Sequence, residues 1–222
     1  MNKPTGWTNT TYQIPISKDR ALEGQLTLAA QTPGLVLFVH GSGSSRHSPR
    51  NQYVARILQQ AGFATLLIDL LTEQEEEQER YTAHLRFNID LLSERVKGTT
   101  NWLTSQPETQ HLRIGYFGAS TGAAAALVAA AEYPSQVFAV VSRGGRPDLA
   151  QASLAHVQAP TLLIVGSRDT SVIPLNQMAL SLLPGEKRLE LIEGATHLFE
   201  EPGALEQVAR LATQWFERYV TA

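Results

Sequence analysis

The sequence contains no cysteine, no long apolar run and no marked excess of charge of either sign. Without cysteine the chain can form no disulfide, no thiolate nucleophile and no cysteine metal site, and this composition favours a reducing compartment. No run approaches the roughly 18 apolar residues of a membrane-spanning helix. The opening stretch MNKPTGWTNTTYQIPIS also has no apolar core typical of a signal peptide. We therefore expect a soluble, cytoplasmic protein.

The charge balance also bears on possible partners. Eighteen basic and 21 acidic residues give a net charge of −3, so there is no electrostatic reason to bind nucleic acid or an anionic membrane. At 222 residues, 43% of them hydrophobic, the chain can bury one sizeable core. It shows no internal repeat and no linker, which predicts a single domain over residues 1–222.

Eight short segments have the pattern of strands. Two alternating segments, near 11–17 and 24–30, are separated by a short polar link and predict an antiparallel pair. The other six are nearly continuous apolar runs, typical of strands buried on both faces, at 34–40, 63–70, 112–118, 137–142, 160–166 and 187–193. Amphipathic helical patterns separate most of these runs. The alternation predicts an α/β fold with a mostly parallel sheet and helices on both faces.

Start and stop residues support the helices. Ser48 and Pro49 begin one helix and Gly62 ends it, while an apolar stripe near the C-terminus predicts another that begins near Gly203. One connection, residues 71–87, is longer than the usual 2 to 6 residues or so. We interpret its acidic run, residues 73–79, as solvated surface, with a mobile flap over the site as the alternative.

The stretch GYFGASTGAAAALVAAA places Ser120 between Gly118 and Gly122, where an apolar strand gives way to an alanine-rich helix. A G-x-S-x-G pattern at a strand-to-helix turn is typical of a nucleophilic serine, because the sharp turn lifts the hydroxyl clear of the sheet towards a base. The alternative is a serine that merely caps the helix. The order of serine, aspartate and histidine along the chain favours the nucleophile.

His197 and Asp169 are the predicted partners of Ser120. His197 follows the last strand and precedes the last helix, so its loop can return to the serine as general base. Asp169, in GSRDTSV after the fifth apolar run, can hold the imidazole tautomer, and Asp148 and Asp69 are weaker candidates for the acid. His40 is better explained as a buried histidine whose ring nitrogens bond the backbone.

The oxyanion of the reaction needs two donors fixed in position. We expect one from the backbone N–H of Thr121, at the start of the helix after the nucleophile, and the other from that of Ser42 in HGSGSS. This Gly/Ser loop has neither the lysine of a phosphate-binding P-loop nor the spacing of a dinucleotide-binding loop. Nucleotide binding is therefore not expected.

Two further residues are candidates for substrate binding. Arg143 follows the strand after the nucleophile strand and, with Arg146 as a possible helper, is expected to pair with a substrate carboxylate. A local ion pair with Asp148 is the alternative. His47 lies near the mouth of the site and either contacts substrate or lies on the surface.

Four stretches together resemble the α/β hydrolases of the dienelactone hydrolase-like branch: LFVHGSGSSRHSPRNQYVA, GYFGASTGAAAALVAA, LLIVGSRDTSVIPLN and GATHLFEEPGALEQVA. The resemblance implies an eight-stranded sheet with an antiparallel second strand. The chain has no room for the large cap domain that many relatives insert before the third member of the triad. It carries the nucleophile, acid and base of the family onto Ser120, Asp169 and His197. Dienelactone hydrolases proper use cysteine as nucleophile, so the serine puts dienelactone in doubt as the substrate.

These observations predict a serine hydrolase that cleaves a small carboxylic ester, thioester or lactone through an acyl-enzyme, with no metal and no organic cofactor. Two alternatives stay open. The same triad could transfer the acyl group to an acceptor other than water, and the hydrolase fold could serve as a binding module without catalysis.

Overall fold

The structure, a computed structural model, describes residues 6–82 and 84–221. Eight strands form one mixed sheet in the order β1-β2-β4-β3-β5-β6-β7-β8. The first two strands are antiparallel, β2 pairs antiparallel with β4, and the remaining pairs are parallel. The strands are β1 (Thr8–Ser17), β2 (Arg20–Leu28), β3 (Leu35–Val39), β4 (Ala64–Ile68), β5 (Ile114–Ala119), β6 (Val137–Arg143), β7 (Thr161–Gly166) and β8 (Lys187–Ile192). The predicted sheet is confirmed.

Helices cover both faces of the sheet. Apolar side chains of α1 and α6 pack on one face, and those of α3, α4 and α5 pack on the other. The helices are α1 (Pro49–Gln60), α2 (Glu73–Thr82), α3 (Ile89–Ser105), α4 (Thr121–Glu132), α5 (Ile173–Leu182) and α6 (Ala204–Tyr219), with 3₁₀ segments at Leu85–Phe87 and Pro147–His156. Within residues 6–82 and 84–221, no helix is long and apolar enough to cross a membrane.

Helix α1 follows the sequence signals at both ends. The Ser48 hydroxyl accepts a hydrogen bond of 3.3 Å from the N–H of Asn51, and Pro49 occupies the first turn, where its missing N–H costs nothing. Gly62 follows the helix with a φ of +100°, a conformation that favours glycine. These local signals fix the loop between β3 and α1, which borders the site.

The segment 71–87 differs from its interpretation as solvated surface. Thr72 and Glu75 form a capping box that begins α2: the Glu75 carboxylate accepts from the N–H of Thr72, and the Thr72 hydroxyl accepts from that of Glu75. Glu75 and Glu79, one helical turn apart, are buried, whereas Glu73 and Glu77 are exposed. The solvated interpretation is therefore wrong for the inward face of this helix.

Ion pairs hold that inward face. Glu75 pairs with Arg95 of α3 at 2.8 Å and with Arg20 at 3.3 Å. Glu79 pairs with Arg86 at 2.7 Å and accepts from the backbone N–H of Leu85 at 2.8 Å. Burial would raise the pKa of Glu79, but the bonds from Arg86 and Leu85 outweigh it and lower the pKa to about 2. We call these residues, Arg20, Glu75, Glu79, Arg86 and Arg95, the α2 ion-pair layer.

Candidate active site

Ser120 lies on a strained turn between β5 and α4. Its φ of 50° and ψ of −124° are unusual for a residue with a side chain. A Cβ at Gly118 would collide with Ala123, and one at Gly122 would collide with the carbonyl oxygens of Val39 and His40. Both glycines are therefore required by close packing, and the turn is the tight one that the G-x-S-x-G pattern predicts.

The structure brings Asp169 and His197 together. His197 Nδ1 lies 2.6 Å from Asp169 Oδ2, and the carboxylate side chain is 9% exposed. The loops after β7 and β8 pack so closely that a Cβ at Gly166 would collide with the Ala195 carbonyl. The alternative acids are engaged elsewhere, since Asp69 pairs with Arg46 and Asp148 with Arg146.

The loop after β6 connects this pair to Ser120. The N–H of Ser120 donates to the carbonyl of Arg143 at 3.4 Å, and Gly144 comes next in the chain. A Cβ on Gly144 would lie 3.5 Å from Cε1 of His197, so the imidazole packs over this glycine. Gly144 has a φ of +52°, which a side chain would disfavour. The geometry places the histidine ring beside the turn that carries the serine.

The two predicted oxyanion donors contact each other. Thr121 is the first residue of α4, and its backbone N–H has no acceptor within residues 6–82 and 84–221. The N–H of Ser42, by contrast, donates to the Thr121 hydroxyl at 3.1 Å. Gly41 packs against Ser120, because a Cβ there would lie 2.8 Å from the serine Cβ. The role of Ser42 as a direct donor stays a prediction.

His40 has the structural role that the sequence favours for it. The N–H of Leu70 donates to its Nε2 at 3.0 Å, so its Nδ1 carries the hydrogen and donates to the Gly41 carbonyl at 2.8 Å. Burial lowers the pKa of His40 and keeps the ring neutral. This histidine ties the loop after β3 to the end of β4.

Arg143 is buried against Phe199 and has no anionic partner among the described residues. It is 7% exposed, its Nε and Nη1 have no hydrogen-bond partner among the described residues, and its guanidinium carbon lies 5.9 Å from the ring centre of Phe199. Burial, with a smaller effect from the positive charge of Arg50, lowers the pKa of Arg143 to about 10. The guanidinium therefore stays charged at neutral pH.

The other residues considered for substrate binding have different surroundings. Arg146 donates two hydrogen bonds to Asp148, at 2.9 and 2.8 Å, so it is not free to help Arg143, and Asp148 is not the partner of Arg143. His47 is exposed, and its backbone N–H donates to the Ser45 hydroxyl. Its contact with substrate stays a prediction.

Two features of the site were missed at the sequence level. Phe199, two residues after His197, is fully buried with a φ of +57°, and no local pattern marks such a residue. The Thr121 side chain was also missed, although its position after the nucleophile is visible in the sequence. Within the described residues, no group of three or more potential ligands could hold a metal ion.

Comparison with known proteins shows the family of this chain. The dienelactone hydrolase family model matches residues 22–220. The chain belongs to the dienelactone hydrolase family. A crystal structure of a dienelactone hydrolase from Anabaena variabilis is 59% identical, with a TM-score of 0.94 over 96% of this chain and 98% of that one. The protein thus has the α/β hydrolase fold of its family, with no cap evident.

Two further comparisons concern a longer relative and a more distant structure. A protein of Mycobacterium tuberculosis named putative phosphoribosyl transferase is 61% identical over 193 residues, which are 87% of this chain and 43% of the relative. The chain thus spans less than half the length of the curated relatives it matches. Est1E from Butyrivibrio proteoclasticus, with a TM-score of 0.79 over 96% of this chain and 99% of that one, is 14% identical and shares the fold alone.

Proposed function

We propose that this member of the dienelactone hydrolase family is a serine hydrolase that cleaves small carboxylic esters, thioesters or lactones through an acyl-enzyme. The observation that carries the proposal is the contact of 2.6 Å between His197 and Asp169, beside a serine on a strained strand-to-helix turn. A buried carboxylate that holds one nitrogen of a half-exposed imidazole leaves the other nitrogen free to act as a base.

The proposed reaction has two halves. His197 Nε2 takes the proton of the Ser120 hydroxyl while Oγ attacks the substrate carbonyl, and the tetrahedral oxyanion is stabilised at the start of α4. The imidazolium then gives the proton to the leaving alcohol or thiol, and the acyl group stays on Ser120. In the second half, His197 takes a proton from water in the same way, and the water attacks the acyl-enzyme and releases the acid. Throughout, Asp169 holds the ring and stabilises its positive charge.

The substrate class follows from Arg143. A buried guanidinium without a carboxylate partner is costly, because a charge that leaves water needs an ion pair or hydrogen bonds in return. We propose that a free carboxylate on the substrate supplies that partner and is bound by two parallel hydrogen bonds. The proposed substrate is therefore an ester or lactone with a second, ionised acid group, and His47 is proposed to contact it at the mouth.

Acyl transfer to an alcohol or amine is the second candidate, since the same acyl-enzyme can react with any nucleophile that reaches it. Because the His197 side chain is 41% exposed, solvent water can reach the acyl-enzyme, and hydrolysis is the first candidate. The name phosphoribosyl transferase belongs to relatives of which this chain covers 43%, and we do not extend that activity to this chain. A cytoplasmic location stays a prediction from the sequence.

Covalent labelling tests the proposal directly. A fluorophosphonate should label the wild-type protein at Ser120, as located by mass spectrometry of the peptides, and Ser120→Ala should not be labelled. The Thr104→Ala variant, which changes an exposed hydroxyl on α3, is the matched control and should label like the wild type. A panel of neutral and carboxylate-bearing esters, with and without added alcohol, then separates hydrolysis from acyl transfer. Wild-type protein that takes up no label would leave only the binding-module alternative.

A further inference from the structure

The Thr121 hydroxyl occupies an unexpected position in the site. It accepts the N–H of Ser42 at 3.1 Å, and its oxygen also lies 3.4 Å from the Ser42 hydroxyl. The residue that carries it also supplies the backbone N–H expected to bind the oxyanion. The hydroxyl therefore links the two predicted donors, and it fills the acceptor position towards which the Ser42 N–H points.

The hydrogen of this hydroxyl is available for another acceptor. Threonines inside helices usually donate to the carbonyl one turn earlier, as Thr99 does to Arg95 at 2.9 Å. Thr121 begins its helix, and no backbone carbonyl of the described residues accepts from its hydroxyl. Its one close side-chain oxygen is the weak contact of 3.4 Å to Ser42. The side chain is fixed, because the residue is 2% exposed.

We propose that the Thr121 hydroxyl is itself a catalytic donor of the oxyanion hole. The Ser42 N–H then acts through it: the amide donates to Oγ1, which orients and polarises the hydroxyl, and the hydroxyl donates its hydrogen to the developing oxyanion. Thr121 thus contributes two donors, its backbone N–H and its hydroxyl. This inference rests on the proposed serine hydrolase function and adds a residue that the G-x-S-x-G pattern does not specify.

The competing arrangement makes the opposite prediction. If the Ser42 N–H must bind the oxyanion directly, the Thr121 hydroxyl blocks it in the free protein and has to be displaced by every substrate. Removing the hydroxyl would then free the amide and leave the rate unchanged or faster. If the hydroxyl is the donor, removing it takes away a bond made to the transition state, which costs on the order of 10²- to 10³-fold in kcat.

The Thr121→Val and Thr121→Ser variants distinguish the two arrangements. Valine has the shape of threonine without the hydroxyl, and we expect it to lower kcat on an activated neutral ester by about 10²-fold with little change in KM. Serine keeps the hydroxyl and should restore kcat to within a few-fold of the wild type. Thr99→Val, which removes a buried hydroxyl in α3, controls for the general loss of a buried hydrogen bond.

An inhibitor tests the bond to the oxyanion separately from turnover. Ser120 Oγ adds to the carbonyl carbon of a trifluoromethyl ketone and forms a hemiketal, whose oxyanion resembles that of the transition state. The affinity for this inhibitor should therefore fall in Thr121→Val by the same factor as kcat/KM, and it should recover in Thr121→Ser. Unchanged or raised activity in Thr121→Val, with wild-type protein that hydrolyses the ester, overturns this inference alone. A wild type that neither hydrolyses the ester nor takes up a fluorophosphonate overturns the proposed function, and this inference with it.

Discussion

Two buried arginines lie in different regions of this protein and have opposite surroundings. Arg95, in the α2 ion-pair layer, is 9% exposed and lies 2.8 Å from the Glu75 carboxylate. Arg143, at the end of β6, is 7% exposed and forms no ion pair with any described residue. Burial lowers the pKa of both guanidinium groups, but only Arg95 has a carboxylate that opposes the shift.

We interpret the difference as one between a structural charge, at Arg95, and a charge proposed to bind a ligand, at Arg143. A buried ion pair is held by its own geometry, and losing one partner is costly because the other charge stays behind. A buried charge without a partner raises the free energy of the folded state, and proteins keep such features where function needs them. Changes near Ser120 should therefore affect catalysis, and changes in the α2 ion-pair layer should affect stability.

The largest effect is expected on turnover, for substitutions of Ser120 and His197. Ser120→Ala and His197→Ala should each lower ester turnover by roughly 10⁴-fold or more, since neither residue can act without the other. For the same reason the double variant should be little worse than either single variant. Steady-state kinetics on one ester measures all three, and thermal unfolding should show that each variant is folded. Losses that multiply in the double variant would contradict a joint role.

In the α2 ion-pair layer, Glu75→Gln should reduce stability and leave the chemistry unchanged. The glutamine keeps the reach and the capping geometry but removes the charge that faces Arg95, which should lower the free energy of unfolding by about 3 kcal/mol. Urea unfolding measures it. Glu77→Gln, on the exposed side of the same helix, is the matched control and should change stability by about 0.5 kcal/mol or less. Equal effects of the two substitutions would show that the pair is not structural.

Local patterns in the sequence were sufficient for the strands, the capped helix α1 and the site-forming turns. Alternating segments and short apolar runs locate all eight strands, although β2 begins at Arg20, inside the link predicted between the first two strands. The two glycines around Ser120 follow from the tightness of the turn. The contact between Asp169 and His197 is also consistent with their loops following neighbouring strands β7 and β8. These features depend on neighbours along the chain or on the general rules of a parallel sheet.

The misread features depend on distant contacts. The acidic run looks solvated until α3 brings Arg95 against Glu75, although the T-x-x-E capping box at Thr72 was a local signal that could have revealed the helix. In the same way, Asp148 is close in sequence to both Arg143 and Arg146, and only the folded backbone decides that it pairs with Arg146. Spacing alone cannot assign ion-pair partners.

A smaller effect is expected at Arg143, and it concerns discrimination between substrates. Arg143→Met keeps most of the aliphatic stem and removes the charge, so KM for an ester with a free carboxylate should rise roughly 10-fold or more. A neutral ester of the same size should be little affected, and the variant should be at least as stable as the wild type because an unpaired buried charge is lost. Arg146→Met, which removes an arginine already paired with Asp148, is the matched control. Equal effects on both esters would remove Arg143 from the site.

The last prediction compares the response of the two regions to acid. Both His40, beside the site, and Glu79, in the α2 ion-pair layer, have lowered pKa values, so both favour the folded state less as the pH falls. The pH windows differ. For His40, the unfolded chain binds a proton that the folded chain resists, so its contribution is complete above a pH of about 6.5 and is lost as the pH falls below that value. For Glu79, the contribution is lost between a pH of about 4.5 and about 2.

The two windows can be separated with one substitution. The free energy of unfolding, measured in urea at pH 7.5 and 5.5, should fall on acidification in the wild type. In His40→Gln the fall should be smaller, because glutamine can accept the Leu70 N–H but cannot take up a proton in this range. His111→Gln, which replaces an exposed histidine, should keep the wild-type slope. If His40→Gln also keeps the wild-type slope, the stability of the loop after β3 does not depend on a neutral His40. The fall in the free energy of unfolding between pH 7.5 and 5.5 must then come from another group.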